Sequence, residues 1–300
     1  MKRKVIKQAN QAYTMTLPIE WVRQNNITKD SELDVTLSDK SIIISNTAGV
    51  EVKKSKIIFS NLNERALNAQ IKALYAKGVD EIEISSKQDI SSLIYEALQE
   101  TIGFALVSNT SDTFIIKDIG GTNYSELDDI FKRVFQMVLL AYDLAIKDIF
   151  GKQKETMQGL DSRDREINKF CIFLERAISK MSYPNQINSR VLFAYSFALE
   201  KIGDEIHRLW RTNIKYGIKQ TEAIKSLTES SNQGLSLAFD IYYHPNPENI
   251  DKLFNIRNKT RGKSMDLLKL EPNTARFVRH VVKIVEDAAD LSHLSLIKNL

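Results

Sequence analysis

Apolar residues recur every three to four positions along the whole second half of the chain, from residue 125 onward. This spacing predicts that every segment there is helical. Glycine or proline interrupts the pattern at Gly151, Pro184, Gly217, the loop 244–247 and Pro272, and these five breaks divide it into six helices. Helices of this length fit two three-helix units. The predicted helices are 125–151, 154–181, 187–216, 219–243, 248–268 and 273–298, in units 125–216 and 219–298.

A repeated polar pattern supports this division into two units. At about 100° per residue, Glu200, Asp204 and His207 fall within roughly 60° of one another on one helical face. The same spacing returns 86 positions later, at Glu286, Asp290 and His293. A second echo, of residues 140–144 in residues 237–241, keeps its order relative to the acidic pattern. The helical half is therefore predicted to be an internal duplication.

Carboxylates on facing helices of a bundle are common metal ligands. Two carboxylates four residues apart on one helix repel each other, so a cation must offset them if their face is buried. The candidate ligands are Glu200, Asp204, Asp161 and Asp164 in the first unit, Glu286 and Asp290 in the second, and His207 and Asp143 as further donors. Such donors suit a divalent or ferric ion or cluster of iron, zinc, manganese or magnesium.

Side-chain cations offer an alternative explanation of the same acids. Acidic pairs often lie on solvated faces where Lys or Arg balances them. The fifth helix carries Arg257, Lys259 and Arg261 where the second helix has acids. These cations can pair with Glu286 and Asp290, and a metal is therefore expected mainly in the first unit.

The other histidines and the single cysteine are predicted to carry no chemistry. His244 and His280 have no partner at ligand spacing and are expected at the surface. Cys171 lies in an apolar helical pattern and is expected in the core, and one cysteine excludes an intramolecular disulfide. The sequence has neither an apolar run of about 18 residues nor the apolar segment of a signal peptide. We therefore expect a cytoplasmic protein.

Residues 1–48 are predicted to form four short strands and a short helix that begins at Pro18. So small a sheet buries little by itself, and a barrel intertwined from two chains is the usual solution. Glu20 is the only acid among residues 1–23, whereas the basic residues there are Lys2, Arg3, Lys4, Lys7 and Arg23. These cations predict salt-sensitive contacts with DNA phosphates, although a lysine-rich N-terminus can also simply be solubilising.

This segment also resembles a known family. The matching residues are 13–22 with their Leu-Pro-x-x-Trp core, Ile27, 34–35 and 42–44. They are similar to the AbrB/SpoVT/MazE type of swapped-hairpin DNA-binding domain. The resemblance implies a homodimer in which two chains build a small β-barrel that binds DNA.

Residues 50–122 are predicted to form an α/β domain. Strands are expected at 56–59, 81–84, 104–107 and 113–117, with helices at 64–77 and from about 91 to 101. The segment has no phosphate-cradling glycine loop and no nucleophile–base pattern. We therefore interpret it as a spacer or dimerisation module.

The helical half resembles PhoU, a regulator of phosphate uptake built from two three-helix repeats. The resemblance is carried by residues 197–204, with Leu199-Glu200-Lys201-Ile202-Gly203-Asp204, and by residues 285–290. It implies metal clusters at these acidic motifs and contact with a phosphate ABC transporter subunit or another signalling protein. The order of AbrB-like, α/β and PhoU-like segments resembles that of archaeal-type PhoU regulators.

Together these features predict a multidomain α+β chain and three alternative functions. The first is a dimeric, non-enzymatic regulator of phosphate homeostasis that binds DNA and senses through its helical bundle. The second is an adaptor that binds neither DNA nor metal and only docks partners. The third is a carboxylate-bridged metalloenzyme, which the Glu-x3-Asp-x2-His spacing disfavours because ferritin-like di-iron sites use Glu-x-x-His.

Overall fold

The computed structural model describes residues 2–8, 12–38, 41–46, 52–60, 64–120, 127–151, 154–180 and 186–299. The chain divides into two compact units, Met1–Val52 and Lys53–Leu300. The domain limits predicted at 48, 50, 122 and 125 lie outside the described residues, and so do Pro184 and the first two residues of the helix predicted from 125.

The N-terminal unit consists of two antiparallel hairpins and one short helix, α1. Pro18 is extended, with φ −61° and ψ 125°, and directly precedes α1. This position suits proline because the first helical N–H groups have no intrahelical partner. The elements are β1 (Val5–Gln8) paired with β2 (Ala12–Met15), α1 (Ile19–Gln24), and β3 (Asp34–Ser38) paired with β4 (Ser41–Ser45). Four short strands and a helix were predicted here.

The predicted closed barrel is not formed by the described residues of the single chain. The two hairpins are separate two-stranded sheets, and among the residues of this unit whose side-chain burial is described, none is buried. Two isolated hairpins have too few strands to close a barrel or to bury an apolar face. Large apolar side chains therefore remain exposed at Val5, Ile6, Tyr13, Met15, Ile19, Val35, Leu37 and Ile42.

The second unit begins with a four-stranded sheet carrying two helices. Its elements are β5 (Lys54–Phe59), α2 (Glu64–Ala76), β6 (Glu81–Ser86), α3 (Ser91–Leu98), β7 (Phe104–Asn109) and β8 (Thr113–Asp118). The strand order is β5-β6-β8-β7, with β5 and β6 parallel and the other pairs antiparallel. Gly78 has φ +82°, a conformation that suits glycine directly after a helix. The α/β pattern predicted for this segment is present.

Six long helices complete the unit: α4 (Leu127–Ile149), α5 (Met157–Lys180), α6 (Gln186–Tyr216), α7 (Glu222–Tyr243), α8 (Pro247–Leu267) and α9 (Pro272–Asn299). Helices α4, α5 and α6 pack on one another, as do α7, α8 and α9. The two triplets meet where α4 contacts α7 and α6 contacts α9. Equivalent helices therefore contact each other, as expected for two similar halves around one shared core.

Arg176 on α5 joins the α/β part to the helices. Its guanidinium donates to the carbonyl oxygens of Tyr75 at 3.1 Å and Val79 at 2.6 Å. It also donates to the carboxylates of Asp80 at 3.0 Å and Asp118 at 2.7 Å. The side chain is 1% exposed, so these charges meet away from water. The sheet and α5 are thus held by a buried ion-pair network in addition to apolar packing.

Two further expectations concern Cys171 and membrane spans. Cys171 is fully buried in the helical core, as predicted. Among the described helices, none combines the length and the apolar character that a bilayer crossing requires.

Candidate functional site

The five cations predicted to bind DNA lie on the N-terminal unit and are all exposed. Lys2, Arg3 and Lys4 precede β1, Lys7 lies on β1 opposite Tyr13, and Arg23 lies on α1. None of them forms an ion pair with another described residue. Their charges are therefore available to an external anion.

The acidic site of the first three-helix unit, α4 to α6, lies between α5 and α6. Gly203 lets these helices approach closely, since a Cβ there would lie 3.1 Å from Cγ2 of Ile167. The approach brings His207 Nε2 to 2.9 Å from Asp161 Oδ1. The predicted grouping of Asp161 with the α6 motif is therefore present in the structure.

Asp204 is balanced by cations of its own helix. Its Oδ2 accepts a hydrogen bond from Arg208 at 3.0 Å and lies 3.5 Å from Lys201 Nζ. These are the i,i+4 and i,i+3 spacings that juxtapose side chains on a helix. Part of the positive charge needed by this acidic face therefore comes from α6 itself.

Asp164 is the least compensated of the predicted ligands. Burial raises the pKa of Asp164, the carboxylates of Asp204 and Glu100 raise it further, and His207 opposes them. Its Oδ1 is buried and has no hydrogen-bond partner in the described part of the chain. A buried carboxylate oxygen of this kind favours either a proton or a bound cation.

Glu200 and Glu175 extend this acidic face into the core. Burial raises the pKa of Glu200. Burial and the Glu200 carboxylate together raise the pKa of Glu175 to about 7. Glu175 was missed in the sequence, although it interrupts a run of apolar residues at 173–178 on α5. An acid within such a run was the signal that could have identified it.

The second copy of the motif is organised differently. Glu286 Oε1 lies 2.7 Å from Nε of Arg261 on α8, so the predicted pairing of this acid with the fifth helix is present. Asp290 and His293 are exposed. Asp143 on α4 accepts a hydrogen bond from Asn232 of α7 at 2.6 Å, and no interaction described here connects it to Asp204.

His280 was expected at the surface, and this prediction is wrong. The residue is 4% exposed, and its Nδ1 lies 2.6 Å from Glu205 Oε2. Sequence spacing within α9 could not reveal this partner, because Glu205 belongs to α6. Burial alone would raise the pKa of Glu205. Hydrogen bonds from His280 and Arg208 instead hold this pKa below its usual range. His244 is exposed, as predicted.

The fit of these residues to a metal is partial. Carboxylates and an imidazole are suitable donors for the metals considered. In the described residues, however, no three His, Cys, Asp or Glu side chains converge as a ligand set. Lys201 and Arg208 occupy one side of Asp204 instead.

The comparisons with known proteins concern the N-terminal region. Residues 6–56 match the family model described as antidote-toxin recognition MazE, bacterial antitoxin. No curated protein shows significant similarity to the chain. The N-terminal region is therefore a MazE/AbrB-type, antitoxin-like domain, the class that its two hairpins and short helix also indicate. The match ends at residue 56, within β5, so it does not cover the rest of the four-stranded sheet or any of the long helices.

Proposed function

We propose that the chain is a dimeric, non-enzymatic regulator that binds DNA through its N-terminal unit. The observation that carries this proposal is the set of five exposed cations, without ion pairs to described residues, in and beside the antitoxin-like domain. Cations in such a set would contact phosphates and displace counterions. The contacts would be largely independent of base sequence.

Dimerisation is supported by the apolar surface of the same unit. Apolar side chains such as Tyr13 and Leu37 are 67% and 76% exposed. Large apolar surfaces of this kind usually mark an interface. A second copy of the chain, pairing its hairpins with these, is the partner we propose.

The finer proposal is that the chain regulates phosphate uptake or homeostasis, with the helical unit as a PhoU-like sensor. Its support is the duplicated Glu-x3-Asp-x2-His spacing on α6 and α9 and the pairing of two helix triplets. A phosphate transporter subunit or another signalling protein is its proposed partner. The matching family's description also names toxin recognition, so binding of a toxin protein is a second candidate for the N-terminal unit.

Fluorescence anisotropy with a labelled duplex tests DNA binding. We expect the affinity to fall steeply between about 50 and 200 mM salt. A Lys2→Ala, Arg3→Ala, Lys4→Ala, Lys7→Ala variant should bind more weakly and should lower the slope of log K against log salt by about one per lost phosphate contact.

The matched control removes three exposed lysines of α8 through Lys252→Ala, Lys259→Ala and Lys263→Ala. This variant should keep the wild-type salt slope. Absence of binding by the wild-type chain at about 50 mM salt, where phosphate contacts are strongest, would refute the proposal and favour the adaptor alternative. Equal losses in the two variants would show that any reduction in positive charge suffices.

We also propose that the first acidic set binds a divalent or ferric cation. Its support is the unpartnered buried oxygen of Asp164 and the burial that raises the pKa values of the Glu175 and Glu200 carboxylates. A cation there would supply positive charge to the buried Asp164 oxygen, which Lys201 and Arg208 do not contact; these two cations pair with Glu200, Asp204 and Glu205 instead. The second set, paired with Arg261 through Glu286, has less need of one.

Elemental analysis and calorimetric titration with Mn²⁺, Fe²⁺, Zn²⁺ and Mg²⁺ test this cation site. The wild-type chain and an Asp290→Ala variant should bind equally, whereas Asp204→Ala should weaken binding at least about tenfold, as expected for loss of a direct ligand. Failure of all four metals at millimolar concentration would overturn the proposal. Equal effects of the two variants would also contradict it.

A further inference from the structure

A second charged region of the helical unit is opposite in sign to the acidic face. It is a cavity of about 600 Å³ between the C-terminal turns of α6 and the N-terminal half of α9. Helices α6 and α9 run antiparallel, since Tyr195 donates to the carbonyl of Leu291 and Glu205 meets His280. This orientation brings the end of α6 beside the start of α9.

Cations dominate the lining of the cavity. Arg208, Arg211 and Lys215 project from one face of α6 at i, i+3 and i+7, and Arg276 and Arg279 follow at i and i+3 on α9. No acidic side chain of the described residues lines the cavity. The site therefore concentrates five positive charges in one small volume.

Most of this charge has no partner within the described part of the chain. Arg208 is paired with Asp204 at 3.0 Å and with Glu205 at 2.5 Å. The other four cations form no ion pair with any described residue. Arg211, Lys215, Arg276 and Arg279 are all exposed, and no carboxylate of the described residues neutralises their charge.

Tyr216 shows how closely these cations approach one another. Lys215 Nζ lies 5.3 Å and the Arg276 guanidinium 5.8 Å from the centre of its ring. Hydrogen bonds from Lys215 and then from Arg276 lower the pKa of the Tyr216 hydroxyl. Residues from two helices, 60 positions apart in the chain, thus converge at one edge of the cavity.

Helix dipoles account for little of this arrangement. Lys215, in the last turn of α6, suits the negative end of that helix. Arg276 and Arg279 lie toward the positive end of α9, where a cation gains nothing from the dipole. The backbone N–H groups of Asn273 and Thr274 there already donate to the Glu271 carboxylate at 3.0 and 2.8 Å. The cluster is therefore electrostatically unfavourable unless an anion offsets it.

We propose that this cavity binds a small anion with several phosphate groups. Guanidinium groups form paired hydrogen bonds with phosphate oxygens, and three of the four unpartnered cations are arginines. The volume lies within the range of small-molecule pockets. Three or four negative charges on the ligand would match the unpartnered cations. The site lies wholly within the helical unit and does not depend on DNA binding by the N-terminal unit.

Calorimetric titration of the full chain at about 150 mM salt, where screening weakens non-specific attraction, tests the proposal. The probes are inorganic phosphate, pyrophosphate, tripolyphosphate and ATP. Affinity should increase from phosphate to tripolyphosphate, and an Arg276→Ala, Arg279→Ala variant should lose at least about tenfold, because it removes two charge-assisted contacts. Arg276→Lys should lose less, because it keeps the charge but not the paired geometry.

The α8 variant with Lys252, Lys259 and Lys263 changed to alanine is the matched control and should bind like the wild type. Circular dichroism checks folding, and Arg211→Ala serves as a second probe from the other helix. Three results would overturn the proposal: no binding of any probe at millimolar concentration, equal losses in the α8 control, or tighter binding of an acidic peptide or a DNA duplex through these same arginines.

Discussion

The two three-helix units share a polar spacing but differ in their middle helices. Helix α5 buries nine residues, including Glu175 and Arg176, because it lies between α6 and the α/β part. Helix α8 buries only Leu253, Thr260 and Ser264. The same Glu-x3-Asp spacing on α6 and α9 therefore faces a covered helix in one unit and an open helix in the other.

This difference determines whether the repeated acids are buried or paired with an exposed cation. In the first unit, carboxylates such as Asp164 are removed from water and their pKa values rise. In the second three-helix unit, α7 to α9, Glu286 pairs with Arg261, whose side chain is 56% exposed. The spacing of a motif thus specifies which residues share a face, whereas the neighbouring helix determines whether that face is charged, protonated or paired.

The largest expected contrast between the units concerns two arginines. Arg176→Ala should lower the free energy of unfolding of Lys53–Leu300 by about 3–5 kcal/mol, because it removes the buried cation that pairs with Asp118 and leaves Asp80 with Lys180 alone. Arg261→Ala, at an exposed pair, should lower it by less than about 1 kcal/mol. Urea denaturation followed by circular dichroism measures both.

Equal midpoints for these two variants would contradict the assignment of Arg176 as the residue that joins the α/β part to α5. Arg176→Lys provides a graded control, since it retains one charge but cannot reach both carboxylates and both carbonyls together. The free energy of unfolding of Arg176→Lys should lie between that of the wild type and that of Arg176→Ala.

A smaller contrast concerns the pH dependence of stability. The pKa of Glu175 is about 7 in the folded chain, against an ordinary value of 4.5. The folded state therefore binds more protons between these values, and stability is lost as pH rises from about 4.5 through about 7. Glu175→Gln should remove this loss and should be more stable than the wild type by up to about 3 kcal/mol at pH 8.

Denaturation at pH 5 and pH 8 in the presence of a chelator measures this effect without interference from bound metal. A Glu175→Gln variant whose stability parallels that of the wild type across this range would refute the raised pKa.

The smallest effect is expected for the Arg261–Glu286 ion pair of the second three-helix unit. A double-mutant cycle of Arg261→Ala and Glu286→Gln should give a coupling energy of about 0.2–1 kcal/mol that decreases with added salt. A coupling of several kcal/mol would mean that α8 is covered in solution, and it would remove the distinction between the two units.

Local signals in the sequence were sufficient to predict most elements. Helix caps were a further local signal, which the prediction of α7 and α8 did not use: Thr221 Oγ1 accepts a hydrogen bond from Ile224 N at 3.3 Å, and Asn246 Oδ1 accepts one from Asn249 N at 2.8 Å. Glycine and proline breaks located the remaining described helix ends within a few residues. These features depend on residues close in sequence, and period and capping therefore reveal them.

Interactions between distant segments could not be predicted in this way. The partner of His280 is 75 positions away, and the carboxylates that bind Arg176 are 96 and 58 positions away. The barrel expected from residues 1–48 required strands from two chains, and the described hairpins of the single chain form two separate sheets. Helical spacing within α6 predicted which of its polar residues share a face, and whether they form a metal site stays a prediction. The predicted set was incomplete where Glu175 and Glu100 enter from other elements.

The exposed apolar side chains of the N-terminal unit have a consequence for dosage. If two copies of the chain must associate before this unit is stable, the amount of paired unit is governed by mass action. At low abundance, the concentration of pairs grows with the square of the concentration of free chains. Occupancy of a DNA site would then respond more steeply than linearly to expression, so that a modest change in synthesis would alter transcription disproportionately.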